Sequence, residues 1–66
     1  MVHSEQIHEL LKYRYSYYRF LRDEYMRLAR DWRDRQDRLH MCLCVRSARK
    51  FNKTVIKIKQ ELANHG

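Results

Sequence analysis

The residues able to do chemistry fall in three groups, and the one best suited to a metal is the smallest. His40-Met41-Cys42-Leu43-Cys44 brings one imidazole and two thiols within five positions, and His and Cys are zinc ligands. On a helix, however, positions 42 and 44 point about 200° apart, and no fourth ligand stands nearby in sequence. Only two chains meeting at an interface would complete a tetrahedral site. Buried cysteines acting as small apolar side chains fit the same pattern with fewer requirements. The expectation is therefore no metal and no cofactor. Nothing supports catalysis either: the chain has no Gly-rich phosphate loop and no Ser/His/Asp set on a rigid scaffold. The expectation is a non-enzymatic protein with no small-molecule substrate. His3, His8 and His65 lie near the ends and read as solvated.

The second group is basic. Arg46, Arg49, Lys50, Lys53 and Lys57 fall within a sector of about 100° on a helix and form one ridge. Up to Asp37 the chain carries eight Lys/Arg against seven Asp/Glu; from Arg38 onward it carries seven Lys/Arg and a single acid, Glu61. Nearly all of the net charge of +7 therefore sits in the second half. Cations with no interleaved acids make a surface fit to meet an anion, nucleic-acid phosphates included. No recognition-helix or RNA-binding signature accompanies them, so sequence-specific reading is not expected.

The third group is aromatic: Tyr13, Tyr15, Tyr17, Tyr18 and Phe20. Their spacing sends the rings around the helix in several directions. Large rings on more than one face match the composition of interface cores. Tyrosines that keep their hydroxyls wet beside a half-covered helix would look the same.

The elements that position these groups are helices. There is no Pro, the one Gly is the last of 66 residues, and 35% of the chain is charged. Ser4 is a reasonable N-cap, with Glu5 and Glu9 in the first turns. Apolar positions then step by three and four through Ile7, Leu11, Tyr18, Leu21, Tyr25, Leu28, Trp32 and Leu39. Arg14 and Arg35 interrupt the stripe. Opposite charges recur four apart beside it: Arg19 with Asp23, Asp23 with Arg27, Arg27 with Asp31, Arg30 with Asp34, Arg33 with Asp37. Each such pair is worth about 0.2–0.5 kcal/mol.

After Leu39 the register shifts to Met41, Cys44, Ala48, Phe51, Val55, Ile58 and Leu62, with Val45 and Ile56 at the border of the basic face. The shift predicts either a stutter in one long helix or a turn. A turn lets the two stripes cover each other. The spacing thus predicts an all-α protein, a single domain over 1–66: a two-helix antiparallel hairpin with a longer first helix. Its helices are expected over about 4–37 and 42–63, with a turn at about 36–43, and Asn64-His65-Gly66 supplies the end. At equal rise, a second helix that short leaves Ser4 to Arg19, the aromatic arm, uncovered. Its apolar surface would be completed by a partner chain or by self-association.

The longest apolar run, Met41 to Val45, is far too short to span a membrane. Glu5 and Glu9 argue against a signal peptide at Met1 to Leu11. Cys42 and Cys44 do not make a disulfide framework, so a reducing, intracellular compartment (cytoplasm or organelle interior) is expected, not secretion.

Two short patterns resemble known families. Tyr17-Tyr18-Arg19-Phe20-Leu21-Arg22 resembles the Leu-Tyr-Arg motif of small mitochondrial helical adaptors and accessory subunits, with Tyr17 in place of the leucine. Val45 to Leu62 is similar in pattern to the second helix of the helical-hairpin protein of the large ribosomal subunit, whose turn contains the Gly or Pro that this chain lacks. Both imply a non-enzymatic subunit of a larger machine. The residues themselves give two functional expectations, a structural or assembly subunit and a nucleic-acid-binding module. A third, an anionic membrane surface meeting residues 41–63, is disfavoured because the apolar face lacks Trp and already has a helix to cover it.

Overall fold

The computed structural model describes residues 4–65, the side chains of Ser4 and His65 excepted. The expected cap at Ser4, the tail end at His65 and Gly66, and His3 lie outside the described side chains. Two helices make up the described chain: α1, Ser4–Asp34, and α2, Arg38–His65. They pack against each other as a hairpin. Cross-seam neighbours fix the antiparallel sense: Trp32 meets His40 near the turn, Tyr25 meets Phe51 further along, and Arg22 reaches Asn52.

The turn is tighter and earlier than the expected 36–43, and its chemistry explains why. The Asp37 N–H donates to the Trp32 carbonyl and the Gln36 N–H to that of Arg33, each at 2.9 Å. That pair of bonds closes a helix around a left-handed residue just past its end. Here that residue is Gln36, at φ 61°. Glycine would take this conformation without strain; a side chain there costs on the order of 1 kcal/mol. Asp37 follows at once and caps α2: its Oδ1 accepts the His40 N–H at 3.1 Å and its carbonyl accepts the Met41 N–H at 3.1 Å. One residue thus closes the first helix and opens the second.

The early turn lengthens α2 to 28 residues against 31 for α1. The first helix is longer by three residues rather than by the dozen or so that the expected ranges of 4–37 and 42–63 imply, and α2 reaches back along most of it. Leu11, inside the stretch expected to be bare, is only 5% exposed. Leu39 leaves the first stripe altogether; it belongs to α2 and stands 69% exposed.

The other stripe positions face the seam. Leu11, Val55 and Ile58 are buried, while Ile7, Tyr18, Leu21, Tyr25, Leu28, Trp32, Met41, Cys44, Phe51 and Leu62 are half-buried. Ala29 and Ala48 are buried too, at 4% and 2% exposure. On one side of the seam the rings fill the gap: Phe51 stands 5.6 Å from Tyr25 and 6.0 Å from Tyr18, centroid to centroid. Among the described residues no large side chain is fully buried. Two helices alone give each only one neighbour, so every core position keeps an edge toward water.

Candidate binding surfaces

The aromatic arm divides in two. Tyr15 and Tyr18 are half-buried, Tyr18 beside Phe51. Tyr13, Tyr17 and Phe20 stand outside, together with Leu10. Those four are 50–69% exposed. They follow one another at spacings of three, four and three, which confines them to a sector of about 80° on the outer side of α1. The expectation of rings in several directions therefore resolves into an inner pair and a single outer stripe. Tyr17 and Tyr18 touch edge to face at 5.5 Å, linking the two sets. Beyond Phe20 the same face turns charged, where Arg27 bridges Glu24 at 2.9 Å and Asp31 at 3.5 Å. The hydrogen bond and charge of Glu24 raise the Arg27 pKa above its ordinary value.

Of the five expected i,i+4 rungs on α1, only Arg27–Asp31 closes among the described residues. The other acids are taken by nearer partners or by the turn. Asp23 pairs with Arg22 at 3.0 Å, Asp34 with Arg33 at 3.8 Å, and Asp37 caps α2.

Arg46, Arg49, Lys50, Lys53 and Lys57 are all exposed on α2, as the helical period requires of one face. Among the described residues none of the five enters an ion pair, because α2 offers no acid before Glu61. The ridge and the aromatic stripe belong to different helices.

The His/Cys cluster lies wholly within α2, where the helical period turns Cys42 and Cys44 to different sides. His40 stacks on Trp32 at 4.4 Å, and its ring Nδ1 lies 2.7 Å from Asp37 Oδ2. An ionised carboxylate only accepts, so Nδ1 carries the hydrogen and donates. The Arg35 guanidinium carbon sits 5.3 Å from the same indole's centroid. Bonds from the His40 backbone N–H, and then from its ring, hold the Asp37 carboxyl below the usual carboxylate range. Cys42 is exposed and Cys44 half-buried. No group of three or more His, Cys, Asp or Glu comes together as a metal site among the described residues.

One surface was not foreseen from the sequence. Along the seam lies a row of adjoining shallow hollows that share lining residues and together form a furrow, with Met26, Ala29, Met41, Val45 and Ala48 at its base. Arg22, Arg30 and Arg33 wall it on α1; Arg38, Arg46 and Arg49 wall it on α2. Ala29 and Ala48 are buried at its base, 4% and 2% exposed, and let the two helices approach closely there. Its residues come from both helices, so no single periodic pattern announces it. The signal present was an alanine at a core position of each helix.

Comparison with known proteins finds no family model, no curated protein and no solved structure that matches the chain. No helix among the described residues is long and apolar enough to cross a membrane.

Proposed function

We propose that the chain works by binding, as a non-enzymatic structural or assembly subunit, or a protein-binding adaptor, of a larger complex. The observation that carries this reading is the outer stripe of Leu10, Tyr13, Tyr17 and Phe20, 50–69% exposed on a helix whose inner side is already occupied. Three rings and a leucine in line leave on the order of a few hundred Å² of apolar surface in water, the size that marks interaction sites. A partner chain, or a second copy, laid along the stripe would add the neighbour that α1 lacks on that side. Such a partner would also complete the small core. The two unpaired thiols, one exposed and one half-buried on a single helix, go with work in a reducing compartment inside the cell.

The test replaces Tyr13, Tyr17 and Phe20 together by Ser. Helical circular dichroism should be unchanged, while association read by size-exclusion chromatography with light scattering should be lost. Global unfolding of the variant would assign those rings to the hairpin's own core and overturn the reading.

A second reading rests on a separate observation, the five exposed cations of the α2 ridge that no acid neutralises among the described residues. They suit non-sequence-specific RNA or DNA binding, as in a ribonucleoprotein component. On duplex DNA each neutralised phosphate contributes about 0.9 to the salt slope of the affinity. Replacing Lys50, Lys53 and Lys57 by Glu should abolish nucleic-acid binding with helicity intact. Surviving binding would remove the ridge from consideration.

A further inference from the structure

We propose that the arginine-walled furrow is the docking site for an acidic amphipathic helix of another protein, lying between α1 and α2 as the third helix of a bundle. The argument uses residues other than the aromatic stripe and stands independently of it. Shape comes first: a hollow between two antiparallel helices is the seat of a third helix in bundles and helix-in-groove complexes. The floor is aliphatic, and Met26 and Met41 are unbranched side chains that adapt to what lies on them. From Arg22 and Asn52 to the apex at Arg38 the furrow follows about four turns of helix, some 21 Å.

Charge then chooses the occupant. Both walls are arginine, and among the described residues that line the furrow the one acid is Asp37, already engaged in capping α2. Arg30, Arg38, Arg46 and Arg49 enter no ion pair among the described residues. An apolar stripe bordered on both edges by Asp or Glu satisfies floor and walls together, because each guanidinium fork can take a carboxylate in two-point contact. A second copy of this chain is disfavoured, for a chain of net charge +7 meets like charge at a furrow walled by arginine. Single-stranded nucleic acid fits less well. No aromatic ring lines the furrow, so bases would have nothing to stack on.

The experiment titrates the full chain into a fluorescently labelled helical peptide of about 18 residues. The peptide carries Leu on one stripe and Glu along both edges, and anisotropy is read at low and at physiological salt. Controls are the same peptide with Lys for Glu, and a uridine oligonucleotide. The Glu peptide should bind, more weakly as salt rises, and the Lys peptide should not. Arg33→Glu with Arg49→Glu should weaken binding by at least about tenfold, and Met26→Lys should do likewise. Arg30→Glu is the additional wall variant should Met26→Lys lose helicity. Lys59→Ala, exposed on α2 beyond the furrow, should leave affinity within about twofold. Failure of the Glu peptide to bind overturns the proposal, as does binding indifferent to the wall and floor variants. Oligonucleotide binding that displaces the peptide and is lost with the Arg33/Arg49 pair would reassign the furrow to nucleic acid.

Discussion

Asp37 serves two helices at once: its N–H closes α1, while its carbonyl and carboxylate open α2. Because the His40 bonds lower the carboxyl's pKa in the folded chain, they stabilise the turn only while that carboxyl is ionised. The contribution is complete above the ordinary aspartate value of about 3.9 and is lost as pH falls through that value and the lower, folded one. The thermal midpoint of the native chain should therefore drop further on acidification to about pH 2.5 than that of Asp37→Asn, which keeps a capping oxygen but does not titrate. Equal drops, followed by circular dichroism, would show that the cap does not depend on charge. This residue and its neighbour are also where the sequence was least legible. Gln36 has no turn propensity, yet it takes the positive φ around which α1 closes. The expected turn accordingly lies later than the observed one, and Leu39 belongs to α2 rather than to the first stripe.

At the level of the helices, legibility was better, because burial follows periodicity wherever a neighbour is present. All seven positions of the second stripe, and Ile7 to Trp32 of the first, face the seam. Periodicity placed Tyr18 and Tyr25 on the seam but not Tyr15, which is half-buried outside the stripe. How far burial reaches along α1 depends on how far α2 extends, and that length follows from where the turn falls. Ala29 stands outside the first stripe and Ala48 inside the second, and both are buried: alanine adds little to an apolar pattern, yet it fixes how closely two helices approach. Ala48→Leu should overpack the seam and cost about 1–3 kcal/mol. The loss should appear as a lower urea midpoint at an unchanged slope. A neutral outcome would mean that the seam opens at Ala48 without penalty.

The whole molecule extends 51 × 16 × 14 Å, with a radius of gyration of 15.2 Å against about 11 Å for a compact domain of this length. So thin a body has little interior to offset its self-repulsion, and the +7 is concentrated in one helix. The Lys/Arg–Asp/Glu pairs recorded among the described residues are mostly exposed, and such pairs contribute little. Added salt should screen repulsion among the α2 cations more than it weakens those pairs. The thermal midpoint should rise by a few degrees between about 20 and 300 mM NaCl. A fall would show that the α1 pairs outweigh the repulsion.

The three-residue connector also makes the chain a ruler. An antiparallel hairpin brings Ser4 and His65 to one pole and leaves Gln36 alone at the other, so anything joined to either end departs from the same place. A donor and an acceptor dye at the two ends would sit close enough for near-complete energy transfer while the hairpin is shut. If the connector straightened into one continuous rod, the dyes would separate by about 90 Å and the transfer would vanish. A chain tethered to a surface by either end would present the opposite pole, with Arg33, Arg35 and Arg38 around Gln36, to whatever passes in solution.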